Sequence, residues 1–134
     1  MQDFEAIRSH VGALHALHDN APYLVSFDLA LGGGRQQGIY LGEMEDEQGR
    51  RYLRVSTPIC PMGHLDPGRC LRFNWQQRVG FLAMDELDGE PYLHLCANRP
   101  YELLNDAELQ HVIAALGELG DQLEVILSGG RDAS

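Results

Sequence analysis

The stretch that most constrains this chain lies near its end. Asn105 stands three residues before Glu108, the spacing of a capping box, and Asp106 beside it suits the positive end of a helix. Leu109, Ile113, Leu116, Leu123 and Leu127 then hold helical register as far as Ser128-Gly129-Gly130, where a glycine takes the terminal left-handed turn. About 22 residues at ~1.5 Å each make a helix of roughly 33 Å, long enough to cross a whole sheet. Such a helix carries one apolar stripe, so the rest of the chain must present a broad apolar surface to it.

Strands supply that surface. Tyr23, Val25, Phe27, Leu29 and Leu31 alternate with other residues at period two, until Gly32-Gly33-Gly34 breaks the pattern. A second strand is predicted over Gly38 to Met44, with Ile39 and Leu41 inward. The polar run Glu45 to Arg50 turns the chain into a third, Tyr52 to Ile59, in which Leu53, Val55 and Thr57 share a face. Cys60 to Leu65 reads as a loop. Asp66-Pro67 is a cap followed by proline at the first helical position, which predicts a short helix over Pro67 to Arg78. Val79 to Leu87 and Pro91 to Asn98 are two further strands joined at Asp88-Gly89, a strong hairpin signal.

At the front, Phe4, Ile7, Val11, Leu14 and Leu17 recur at spacings of three and four, which predicts a helix capped by Asp3 and ended by Asn20-Ala21-Pro22. The order is α-β-β-β-α-β-β-α. Hairpins with helices at the ends predict an α+β fold, an antiparallel sheet of about five strands with helices packed on one face. No repeat or low-complexity linker divides the chain. Residues 1–134 are expected to form one domain, with 129–134 as a flexible tail.

Charge narrows the partners. Twenty Asp and Glu stand against ten Lys and Arg, a formal net charge of −10. Such a surface repels a phosphate backbone and an anionic bilayer, so neither nucleic acid nor membrane is expected as a partner. A basic or polar peptide is steered inward instead. Met1-Gln-Asp-Phe-Glu lacks the basic start and apolar core of a signal peptide, and three cysteines (Cys60, Cys70, Cys96) fit a reducing compartment. A cytoplasmic location is the expectation.

The pattern resembles the Tir chaperone-like fold, shared by class I type III secretion chaperones and YbjN-type proteins. Leu71-Arg72-Phe73-Asn74 is similar to that family's leucine-x-x-asparagine step before its second hairpin. Val79 to Leu95, split by Asp88-Gly89, resembles the hairpin itself. Asn105-Asp106-Ala107-Glu108-Leu109 through Gly120-Asp121-Gln122-Leu123-Glu124 resembles the closing helix, with Gly129-Gly130 after it more YbjN-like. The resemblance implies a homodimer and, for the secretion chaperones, an effector segment wound around it in extended form. None of these stretches is catalytic in the family.

Some residues are of types able to carry chemistry. Cys60, His64, Cys70 and Cys96, with His94 near the last of them, are of the types that close a tetrahedral zinc site. Their Cys-x3-His-x5-Cys spacing is not a paired knuckle, and small buried thiols pack as apolar groups. The same cluster as a thiol nucleophile would need a neighbouring base, and acidic surroundings raise a thiol's pKa. His10, His15 and His18 fall on the predicted first helix, His18 inside its apolar stripe, where a histidine against the core or a partner is favoured over a His15–His18 chelate. Protonation of His18 near pH 6 would then weaken a dimer contact.

Asp85, Glu86 and Asp88 read as a solvated rim, and Gly32 to Gly38 lacks the lysine and Ser/Thr of a phosphate loop. Trp75 beside Phe73 reads as core.

A sheet backed on one side leaves the other free. Leu24, Ser26, Asp28 and Ala30, with Tyr92, His94 and Cys96, make that face mixed rather than polar, and Tyr40 and Tyr52 are aromatic companions of unfixed facing. Leu24, Tyr40, Tyr52, Tyr92, His94 and His18 are therefore the candidate partner-binding residues, on a C2 homodimer that takes up a protein or peptide segment, with no cofactor and no catalysis expected. The alternatives are a dedicated type III secretion chaperone and a zinc- or thiol-dependent enzyme built on Cys60, His64, Cys70 and Cys96.

Overall fold

The computed structural model describes residues 1–63 and 65–132, of which 128–132 by main chain alone. Helix α1 spans Phe4–Leu14; the carboxylate of Asp3 accepts from the Ala6 N–H at 2.9 Å, and Phe4, Ile7 and Val11 are buried. Strands β1 (Leu17–Ala21), β2 (Leu24–Ala30), β3 (Gln36–Glu45) and β4 (Arg51–Pro61) follow as a meander. Then come α2 (Pro67–Gln76), the hairpin β5 (Phe81–Leu87) and β6 (Glu90–Pro100), and α3 (Asp106–Asp132). Short 3-10 turns occupy Gly32–Gly34 and Tyr101–Leu103.

The six strands form one antiparallel sheet in the order β1-β2-β3-β4-β6-β5. Hairpins join all neighbours except β4 and β6, between which the chain leaves the sheet to make α2 and the outer strand β5. Asp88 (φ 53°) and Gly89 (φ 79°) both take positive φ in the β5–β6 turn, the geometry that matches strand twist and that Asp-Gly tolerates. The caps of the later helices form as the sequence predicts: Asp66 accepts from the Gly68 N–H and Asn105 from the Glu108 N–H, at 2.9 and 2.8 Å.

The core lies between the sheet and the helices. Val25, Phe27, Ile39, Leu41, Leu53, Val55, Leu95 and Ala97 line one face, and Leu109, Ile113 and Leu116 of α3 cover them. Each of these side chains but that of Ala97 contributes about 1.5–3 kcal/mol on leaving water. Helix α3 lies against β3, β4 and β6, with α2 along the β5 edge. Two glycines let α3 sit close: a β-carbon at Gly117 would come within 2.5 Å of Leu29 Cδ2, and one at Gly120 within 2.6 Å of Thr57 Cγ2. Beneath Gly120, Gln37 is buried and donates to Thr57 Oγ1 at 2.8 Å and to the Pro58 carbonyl at 3.1 Å.

The predicted architecture holds, with corrections in α1, β1, β4, β5 and α3. The sheet has six strands, not five, because the chain leaves α1 after Leu14 and pairs Leu17 to Ala21 with β2. His18, Asp19 and Asn20 are poor helix formers, so strand pairing overrides the three-four spacing that Leu17 happens to continue. Leu14 is 55% exposed rather than on a buried stripe. Cys60 lies in β4, not in a loop: a register shift between Pro58 and Cys60 turns both Ile59 and Cys60 inward and carries the strand to Pro61. Strand β5 starts at Phe81 rather than Val79, and α3 continues past Ser128-Gly129-Gly130 to Asp132.

Candidate functional site: the uncovered sheet face

The face of the sheet turned away from the helices follows from strand alternation. Leu53, Val55 and Thr57 point to the core, so Tyr52, Arg54 and Ser56 point outward, and the register carries that assignment across the sheet. One row reads Ser26, Tyr40, Ser56, Cys96, Phe81. Beside it run Leu24, Gly42, Arg54, Asn98 on one side and Pro58, His94, Ala83 on the other. Tyr40, Pro58, Phe81, Ala83, Tyr92 and His94 are half-buried, leaving aromatic and aliphatic surface in contact with solvent.

Every candidate partner-binding residue falls on this face. Leu24, Tyr40, Tyr52, Tyr92 and His94 project from it by register. His18 reaches it from a different element than expected: it sits on the edge strand β1, exposed, with its Nε2 2.8 Å from Asp28 Oδ2, and not in the apolar stripe of α1. The histidine packed as expected is His15, whose ring stacks on Phe27 at 4.0 Å; burial, then the neighbouring His10, hold its pKa below the ordinary histidine value.

Fixed polar contacts frame the face. Tyr52 donates its hydroxyl to Asp46 Oδ2 at 3.1 Å, and the Arg50 guanidinium lies 5.4 Å from the Tyr52 ring centre. The Arg50 N–H, then those of Gln48 and the Tyr52 hydroxyl, keep the Asp46 carboxyl below the usual carboxylate range against the opposing effect of desolvation. Arg54 donates to Asn98 Oδ1 at 3.2 Å, and Ser26 to Asp19 Oδ2 at 2.6 Å. The rings of Tyr92 and His94 are tilted against each other at 5.9 Å. His94 Nε2 is buried and finds no hydrogen-bond partner among the described residues.

The cysteines do not converge. Cys96 pairs in register with Ser56, four residues along β4 from Cys60, a separation of about 13 Å at ~3.3 Å per residue. Cys70 faces a groove between α2 and the end of α3, beside Phe73 and Leu123. His64 lies outside the described residues. Among those described, no group of three His, Cys, Asp or Glu is placed to hold a metal ion. Burial pushes the Cys96 thiol up, with Asp85 adding to it and Arg54 opposing, which disfavours the thiolate that nucleophilic chemistry needs.

Helix α2 forms where the sequence predicts it, but it turns a different side outward than expected. Trp75, expected in the core, is 90% exposed, and Leu71, one turn earlier, is 69% exposed. The signal was present: Cys70 and Phe73 make one apolar face three residues apart, and Leu71 and Trp75 make a second, four apart.

A one-sided antiparallel sheet of this order, crossed by a long terminal helix, defines an α+β fold. The chain superposes on a chain of the solved HopA1-SchA chaperone-effector complex with a TM-score of 0.59 and 17% identity, over 88% of each. No protein-family model and no curated protein sequence matches it. Among the described residues no helix is long and apolar enough to cross a membrane.

Proposed function

We propose that the chain is a non-enzymatic, chaperone-like protein-binding module of the YbjN type, acting in the cytoplasm as a homodimer. It lays the uncovered sheet face and the adjoining helix surface on a segment of another protein. The observation that carries this reading is the continuous mixed face running from Leu24 and Tyr40 through His94 to Phe81, with no helix over it among the described residues. Apolar surface of that extent on a small acidic protein is the kind that partners bury. Strand β1 is a sheet edge beside it, and an extended segment can add to such an edge through main-chain hydrogen bonds.

Likeness to a chain of a chaperone-effector complex favours a second reading, a dedicated type III secretion chaperone. The two differ in what is bound: a dedicated chaperone holds one effector, a general module several unrelated segments.

The test is a photo-crosslinking amino acid placed at Tyr40 and, as control, at Glu118 on the exposed side of α3. Adducts confined to Tyr40, mapping to a defined partner segment, are the expected result. Equal labelling at both positions, or none at Tyr40, sinks the reading.

A further inference from the structure

We propose that the groove between α2 and the end of α3 is a small-molecule site. It takes the alkyl chain of a free fatty acid, whose carboxylate is held at the rim by Arg69 and Arg72. The site lies on the helix side of the sheet and does not depend on what the uncovered face binds.

Helix α2 is underpacked on its inward side. It rests chiefly on β5, and none of its ten residues is fully buried. Cys70 and Phe73 turn toward the core yet stay half-buried. Leu82 of β5 and Leu123 and Leu127 of α3 are half-buried as well, and Ile126 is 73% exposed. With Leu65 these side chains line an open groove of about 500 Å³. Ligand sites commonly measure ~300–1,000 Å³ and have mostly apolar walls with a few polar groups to fix orientation.

The rim supplies the polar groups. Arg69 and Arg72, three residues apart on α2, both line the groove. The chain carries a net charge of −10, and Arg8, Arg35, Arg50 and Arg99 each pair with a carboxylate. Among the described residues no ion pair holds Arg69 or Arg72. Asp66 is the one carboxylate among the described lining residues, and its Oδ1 accepts the cap bond from the Gly68 N–H at 2.9 Å.

These two features select the ligand together. A guanidinium presents a planar pair of N–H donors that matches a carboxylate. A bare alkane would leave both arginines unused, and a compact anion would leave the apolar floor in water. An extended peptide would lay its own N–H and carbonyl groups on that floor, where Gln76 is the sole uncharged polar side chain among those described. A fatty acid brings one charged end and nothing polar along its length.

Cys70 makes the groove readable without modification of the protein. It is half-buried in the lining, whereas Cys60 and Cys96 are buried, so alkylation by iodoacetamide reports occupancy at Cys70 against two protected thiols. Alkylation rates and calorimetric titrations are measured on the full chain with saturated fatty acids of six to fourteen carbons, below their micelle concentrations. The expected result is saturable protection of Cys70 at one fatty acid per chain. Affinity should tighten by up to about fourfold for each added methylene until the groove is filled, and level off thereafter. Decanoate should protect roughly fivefold better than 1-decanol, the size of an exposed charge pair, and decylamine should protect least. Arg69→Gln combined with Arg72→Gln should bring decanoate down to the level of 1-decanol and leave 1-decanol unchanged. Ile126→Glu, at an exposed position, should repel decanoate.

Protection by 1-decanol or decylamine equal to that by decanoate overturns the proposal, because the arginines then do not read the head group. Binding heat without protection of Cys70 puts the fatty acid elsewhere and overturns the groove, as does the absence of both signals. An acidic helical peptide of leucine and glutamate that protects Cys70 better than any fatty acid reassigns the groove to a protein segment and overturns the ligand class.

Discussion

At Leu82 the main-chain N–H and carbonyl that face away from the sheet both close on the amide of Asn74, at 2.6 and 3.1 Å. A side chain from α2 thereby takes the place of a further strand and blunts an edge that would otherwise invite pairing. Asn74→Ala leaves both groups without their partner in a partly buried site, so it is expected to lower stability by roughly 1–3 kcal/mol in urea unfolding; a change below about 0.5 kcal/mol would show the bonds to be replaceable by water.

His15 carries a second prediction. Its folded-state pKa lies below the unfolded value, so just under pH 6.5 the unfolded chain takes up a proton that the folded chain refuses. Its contribution is present above pH 6.5 and is lost as the pH falls through the folded-state value. Stability measured from pH 7.5 down to 5 should therefore decline, and His15→Gln should flatten the decline. An unchanged slope would assign the acid sensitivity elsewhere.

For the elements, the decisive distances are those between α3 and the sheet. Alanine in place of a helical glycine ordinarily gains about 1 kcal/mol. At Gly120 the added carbon meets the methyl of Thr57, a buried branched side chain that also donates its hydroxyl to the Gly38 carbonyl at 2.6 Å. It cannot move aside without breaking that bond. Overpacking of ~1–3 kcal/mol should win, and Gly120→Ala should unfold at lower urea. At Gly117 the obstacle is the tip of Leu29, a flexible and half-buried leucine, so Gly117→Ala should cost less. Equal effects would mean that α3 shifts as a body.

These elements also show what could be read from the chain alone. The caps at Asp3, Asp66 and Asn105, the Asp88-Gly89 turn and the alternation of β2 to β4 are local patterns, and local patterns survive folding. Strand β1 was illegible because its residues satisfy helical spacing as far as Leu17 and are claimed by pairing with β2. The inward turn of Cys60 depends on a register shift against β6, more than 30 residues away in sequence. Neither is written in any short window.

At the scale of the whole molecule, the sequence was informative about the candidate face and about the place of α2, but silent about which side of α2 turns outward. Alternation alone placed Leu24, Tyr92 and His94 opposite the core residues. Tyr40 and Tyr52 needed the register to be assigned, and His18 arrived from an unforeseen strand. Trp75 went unrecognised because a lone aromatic on a short helix is equally consistent with either side until the packing of Cys70 and Phe73 is known.

The gap in the meander has a consequence of its own. Since β4 and β6 are the sole neighbours not joined by a hairpin, cutting the backbone between Met62 and Asp66 yields two pieces with complete local pairings but no complete core. The first ends in a bare β4, and the second keeps β6 and an unseated α3. Mixed together, the two peptides should reassemble and regain the circular dichroism of the intact chain, while each alone stays largely unstructured. The molecule would then serve as a conditional tag, whole only where both halves are brought together.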